Sequence, residues 1–328
     1  MPDKIFPMAS MNTWRTEAVA SFFEGAGLRL HRCLAPGMVC KGTAIRSHSV
    51  QNSRVLDLLA RDGHVKGVGK RIEGDAGPVI RFEDIGRNQA TTFTGFCSKH
   101  DSEIFRSIET EPFRPSDPEH LFLVAYRAVA RELHACMEAT VQIQGSYEAR
   151  IRRGLDGGNE PEPMGMFAVE YMIKSWLTYR YKCCFDEALL LRKYDKVSHD
   201  VFYLTHASPS LAVCSLYAAD DVRGNDDWVR VALNVLPLTQ TESVVVFTYL
   251  PQDAALAKAS LAGVLNSPSF SQKYLLSKQI LNHCDNFVVA PEHFDTWSPE
   301  KVDTIVDFFS ETLFKGNLSA EDERLYLF

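Results

Sequence analysis

Four side chains of this 328-residue chain have the types and spacing of a zinc site: Cys33 and Cys40 with six residues between them, then Cys97 and His100 with two. Zinc takes thiolate sulfur and imidazole nitrogen in a tetrahedron at about 2.0–2.3 Å. A short loop can supply two such ligands and the first turn of a helix two more. Cys33, Cys40, Cys97 and His100 are therefore expected to close around one structural Zn2+. The first spacing is wider than the usual two to four, and 56 residues part the pairs. Ordinary buried thiols would account for the cysteines, but not for His100 and Asp101 following Cys97 so closely. Energetics favour the metal, since a small module's core supplies about 3–5 kcal/mol and a structural zinc on the order of 10 kcal/mol.

Between the two pairs a short apolar strand leads into Ser47-His48-Ser49-Val50, and the second pair sits in Gly95-Phe96-Cys97-Ser98-Lys99-His100-Asp101. Over about residues 28–110 this resembles the zinc-containing branch of the HNH (ββα-metal) endonucleases. In that family a zinc knuckle precedes a strand ending in Asp-His, and a second knuckle opens a helix that carries a metal-binding His. The resemblance implies a treble-clef zinc module, with Cys33 and Cys40 in the first knuckle and Cys97 and His100 in the second. It implies His48 as the general base that activates water, Asp101 in the place of the metal-binding His, and Asn88 as the match to the family's central Asn. The chemistry implied is phosphodiester hydrolysis assisted by Mg2+ or Mn2+, the cation neutralising charge that develops on the phosphate. Two residues depart from the family: Ser47 stands where it has Asp, a poorer ligand for a hard cation, and Asp101 replaces a His. The Ser-His-Ser and Gly-Phe-Cys-x-x-His-Asp signatures are also similar to those of uncharacterised bacterial proteins, some associated with phage defence. The rival reading is a non-catalytic zinc-binding protein for protein interaction or ligand sensing, with the C-terminal half as sensor.

A net charge of −7 excludes a protein that coats nucleic acid by bulk electrostatics. Residues 28–106 nevertheless carry 13 Lys and Arg against 8 Asp and Glu. If DNA or RNA binds, it binds this N-terminal module; a protein partner is the other expectation. The N-terminal stretch lacks the basic flank and apolar core of a signal peptide, and no segment has the roughly 18 apolar residues that span a bilayer. The expectation is a cytoplasmic protein with no membrane association, its eight cysteines thiols or metal ligands rather than disulfides. With no Gly-rich phosphate loop, Walker lysine or dinucleotide fingerprint, nucleotide hydrolysis is disfavoured.

The elements around these residues follow from periodicity and punctuation. A short helix over 14–23 ends at Gly25 and Gly27, a strand enters Cys33, and Pro36-Gly37 turns the knuckle. A short helix follows over 50–62, then strands over 63–68 and 78–83 joined by a turn at 73–77, and a helix over 98–108. Ser116-Asp117-Pro118-Glu119 reads as a capping box for a long helix towards 141, and Gly154 to Pro163 as an exposed loop. Helix resumes over 164–191. Beyond 199 the period changes from 3.6 to 2: four strands over 200–206, 210–217, 228–236 and 243–250, then helices over 251–265, 268–284 and 299–314, the last closed by Gly316. The fold expected is α+β: a treble-clef module over 1–112, a helical connector over 113–198, and an antiparallel sheet covered by helices over 199–328.

The remaining chemistry-bearing groups read as structural. Adjacent Cys183 and Cys184 cannot easily chelate one ion, and His64, His206 and His283 sit at strand or helix ends. Tyr171, Trp176, Tyr179, Tyr181 and Phe185 have the spacing of a packed helix face rather than a base-stacking platform. Arg150, Arg152 and Arg153 read as a solvated cluster.

Overall fold

Strands from both ends of the chain build the larger of two sheets. The computed structural model describes residues 8–72, 78–157, 163–219, 229–315 and 321–328; the turn at 73–77, residues 158–162 of the expected loop, the start of the third C-terminal strand at 228 and Gly316 lie outside them. In chain order the elements are α1 (Met8–Ala26), β1 (Ala44–His48), a wide helical turn (Asn52–Leu56) leading into α2 (Asp57–Leu59), β2 (His64–Ile72), β3 (Pro78–Gly86), β4 (Thr92–Cys97) and α3 (Ser98–Thr110). Two long helices follow, α4 (Pro118–Arg152) and α5 (Pro163–Leu191). Then come β5 (Ser198–Thr205), β6 (Leu211–Ala219), β7 (Val229–Pro237), β8 (Glu242–Tyr249), α6 (Ala254–Asn266), α7 (Ser269–His283), β9 (Phe287–Val289), α8 (Pro291–Phe294) and α9 (Pro299–Lys315).

β1 pairs only with β4, whereas seven strands form an antiparallel sheet in the order β3-β2-β9-β6-β7-β8-β5. Successive residues of β6, β7 and β8 are buried almost without interruption, because both faces are covered and alternate side chains point to opposite layers. Cys214, Ala232 and Val246 pack towards α4. Val213, Leu233 and Phe247 pack towards α6, α7 and α9. The mixture of helix and antiparallel sheet fits the α+β expectation.

Two features cross the expected segment boundaries at 112 and 198. Residues 64–86, read as part of the N-terminal module, belong to the large sheet: Lys66 and Gly67 of β2 pair with Val289 and Val288 of β9. Gly67 leaves room there for the end of the Ile85 side chain, which an added Cβ, at 2.5 Å, would displace. The expected connector is also more than a connector, for every residue from His120 to Ala130 of α4 is buried between the large sheet and the β1–β4 pair. Asp117 caps α4, accepting from the Glu119 N–H at 2.9 Å. Ser116 makes no cap, because the Asp117 carboxylate already satisfies that end and also binds Arg114. The C-terminal half of α4 extends past the expected end near 141 and packs against α1 and α5. Among the described residues no helix is long and apolar enough to cross a membrane.

Candidate metal centre

The ligands arrive from a turn and from a strand-to-helix junction. Leu34 donates its N–H to the Gly95 carbonyl at 2.7 Å, which fastens the chain after Cys33 to β4. A tight turn at Pro36–Met38 reverses the chain through Gly37, whose φ of 74° suits a residue without a Cβ. The turn returns Cys40 beside Cys33. Cys97 ends β4 and occupies the position before the first residue of α3, so His100 follows on the helix's first turn.

Cys33, Cys40, Cys97 and His100 place one ligand atom each within 4.8 Å of all the others. His100 Nδ1 lies 3.4 Å from Cys33 Sγ and 3.3 Å from Cys97 Sγ, and the Cys40 and Cys97 sulfurs are 3.9 Å apart. A tetrahedral zinc with ordinary bond lengths has ligand-to-ligand edges of about 3.5–3.8 Å, so the donor set fits the ion in size and in softness. Among the described residues it is the one such cluster of three or more His, Cys, Asp or Glu donors.

The surroundings prepare the sulfurs for a cation. The His100 backbone N–H, with that of Lys99 behind it, lowers the Cys97 thiol pKa, the ordinary effect of a helix N-terminus on a thiol. Burial pushes Cys33 the other way, partly offset by backbone donors at Cys97 and Ala35. Gly42 donates to Cys40 Sγ at 3.3 Å, and a Cβ there would stand 3.1 Å from that of Cys97.

Behind the turn lies a buried network that the sequence reading did not single out. Asp186 Oδ1 accepts from the Tyr126 hydroxyl at 2.7 Å and from the Lys182 ammonium, while Asp186 Oδ2 accepts from Gly37 N–H at 3.4 Å. Lys182 is wholly buried, and burial lowers its pKa against the pull of Asp186. The four-residue spacing of Lys182 and Asp186 on α5 was the available signal.

Asp101 follows the ligand His100, and His48 lies within its electrostatic reach. A slip in register between Ile45 and Ser47 turns Ser47 inward and leaves Arg46 exposed. His48, the last residue of β1, donates Nε2–H to the Arg87 carbonyl at 3.1 Å. A carbonyl can only accept, so this contact fixes the proton on Nε2 and leaves Nδ1 as an acceptor. Burial lowers the His48 pKa, opposed by the Arg87 carbonyl and by the charges of Glu109 and Asp101. Burial raises that of Asp101, opposed by Arg127, Ser47 and His48. Ser47 lies beside the Asp101 carboxyl, but Ser47 Oγ and Asp101 Oδ1 are buried and neither makes a hydrogen bond of good geometry. Arg127 reaches Glu109 at 2.6 Å and lies 4.0 Å above the Phe105 ring.

Asn88 does not join this pair. It is exposed in the turn after β3 and accepts from Asn52 Nδ2 at 2.8 Å; its neighbour Arg87 supplies the carbonyl to His48. The other histidines are engaged structurally: His64 with the Asp62 carbonyl, His206 with Ser243, and His283 stacked on Tyr217. Arg150 pairs with Asp156, and Arg152 and Arg153 with Glu24, so the basic cluster is neutralised within the protein. No protein-family model, curated protein or solved structure matches the chain.

Proposed function

We propose that the chain is a metal-dependent phosphodiesterase of HNH-like type, acting on DNA or RNA, with Zn2+ held by Cys33, Cys40, Cys97 and His100 as a structural ion. What supports this reading is that His48 lies within the electrostatic reach of Asp101, the residue next to the ligand His100. The order of parts supports it: a ligand-bearing turn, strand β1, then its partner β4 leading into a helix with Cys97 at its N-cap position and His100 in its first turn, similar to a treble clef but with the β2–β3 hairpin inserted between β1 and β4.

In this reading His48 Nδ1 takes a proton from water, and the Arg87 carbonyl holds the ring in the tautomer that allows it. Asp101, with the unpartnered Ser47 hydroxyl, would hold a Mg2+ or Mn2+, which supplies positive charge to the phosphate when bound. Eight free thiols suit a reducing cytoplasm, and a part in phage defence would make the nucleic acid foreign.

The test is cleavage of DNA and RNA by zinc-loaded protein with added Mg2+ or Mn2+. His48→Ala should lower the rate by about 10²–10⁴-fold while keeping one zinc per chain; unchanged cleavage in that variant removes the base assignment. The burial of Ser47 and Asp101 Oδ1 favours a second reading, a zinc-binding protein for protein interaction or ligand sensing. That reading stands if no nucleic acid is cut with either cation.

A further inference from the structure

Two large rings stand clear of the core. Trp176 on α5 is 58% exposed, where its spacing predicts a packed face, and Phe270 on α7 is 74% exposed. Phe270 opens onto a cavity of about 730 Å³, and the walls of that cavity have a definite chemistry. Phe270 and Tyr274 lie four residues apart on α7 and so share one helix face; with Tyr326 they give the cavity three aromatic walls. The Phe270 and Tyr326 rings stack at 5.7 Å with 23° between their planes. Glu321, Asp322 and Glu323 line the same space, and among the described residues no Lys or Arg does. Arg324, the nearest base along the chain, is bound to the Asp322 carboxylate at 2.6 Å, which leaves Glu321 and Glu323 to set the charge of the cavity. The walls are held in place from behind. The Tyr274 hydroxyl accepts from the Asp322 N–H at 3.0 Å, Ser277 Oγ accepts from the Leu327 N–H at 2.9 Å, and Leu325 and Leu327 are buried.

We infer that this cavity binds a small organic ammonium ion, with its alkylated nitrogen against the aromatic walls and its charge countered by Glu321 and Glu323. A ring face attracts a cation within about 6 Å through its quadrupole, and the carboxylates add attraction of the same sign. An anion would meet the same carboxylates with repulsion. The rings already draw ammonium groups of this chain: Lys278 lies 5.8 Å from the centre of the Tyr274 ring and Lys301 lies 5.9 Å from that of Tyr326, and neither lysine lines the cavity. Its size is that of a small-molecule site, for which about 300–1,000 Å³ is usual. The cavity is also remote from the metal ligands, since α7 packs on the face of the large sheet opposite α4, so this inference does not rest on the phosphodiesterase reading.

Calorimetric titration of the zinc-loaded full chain with choline tests this against 3,3-dimethylbutanol, the uncharged molecule of the same shape. Saturable binding of choline is expected, with the alcohol about 3–30-fold weaker; this comparison needs no variant. Phe270→Leu keeps the apolar bulk and removes the ring, and should weaken choline by about 3–30-fold, whereas Phe270→Tyr should retain it. Glu321→Gln and Glu323→Gln should each weaken choline by about 2–5-fold, and together they should flatten its dependence on salt. No saturation by about 10 mM choline overturns the proposal, as does an alcohol that binds equally well or a choline site indifferent to Phe270→Leu. A chain that ignores choline but binds a peptide carrying trimethyl-lysine also overturns it, assigning the cavity to a protein partner.

Discussion

The region around the metal ligands and the seven-stranded sheet are held together by different forces. Around the ligands the buried apolar set is small: Cys33, Ala35 and Cys97, with Cys40 and Ile104 partly buried against them. The central strands of the sheet are sealed on two faces by Val, Leu, Ile and Phe from helices on either side. The ligand turn depends on four donor atoms meeting, although β4 and α3 also send Phe93, Phe96, Phe105 and Ile108 into the core beneath α4; the sheet depends on area removed from water. A region of the first kind places side chains precisely with few residues, but its order is hostage to one ion. A region of the second kind tolerates the loss of any single contact at a finite cost.

Removing the ion should give the largest effect. With Cys97→Ser, or with a strong chelator at neutral pH, zinc-linked stability of roughly 10 kcal/mol is lost. Hydrogen exchange in β1, β4 and the first turns of α3 should then rise sharply while β6, β7 and β8 stay protected. Equal loss of protection in both regions would erase the contrast. Truncating the sheet core is the converse experiment. Phe247→Ala, at a residue with no exposure, should lower the stability of the whole chain by roughly 3–5 kcal/mol, seen as a lower Tm with zinc per chain unchanged.

The smallest effect concerns acid. His199 on β5 bonds Thr248 through Nδ1 at 2.8 Å and has a buried Nε2 with no partner; burial lowers its pKa to about 4. In the unfolded chain it titrates near 6.5. Between those values the unfolded state holds a proton that the folded state does not, so stability falls as pH drops from about 6.5 towards 4. His199→Asn should reduce the acid-induced loss at pH 4.5 by about 2–3 kcal/mol, measured by urea unfolding against the same change in the wild-type chain. The metal region also weakens in acid, through protonation of its ligands. His199→Asn should leave that part of the loss intact, which exchange in β4 would report.

The two regions were also unequally legible in the sequence. The metal ligands could be read because Cys and His at short spacings have few structural duties to mimic them. The strands from 198 onward showed a period of 2, and the helices after 250 carried Ser-Pro starts. β9 was missed because three residues, Phe287–Val289, are too few to show a period. β4 (Thr92–Cys97) is not announced locally, since its partner β1 is separated from it by the whole of β2 and β3. Nothing local announces that the β2–β3 hairpin pairs with a strand more than 200 residues away. The exposure of Trp176 was hidden for another reason: spacing defines a face of a helix, but not whether anything covers it.

That distant pairing governs how the protein is made. Among the described residues β9 is the last strand along the chain, and it is seated between β2 on one side and β6 on the other. A nascent chain leaving the ribosome can form the β2–β3 hairpin early, yet its inner edge stays open until residue 289 has emerged. Until then Lys66 and Gly67 present free peptide groups to any passing strand. The salt bridges on this hairpin, Lys66 with Asp84 and Arg71 with Glu83, dress the waiting edge in charge, a guard that sheets use against premature partners.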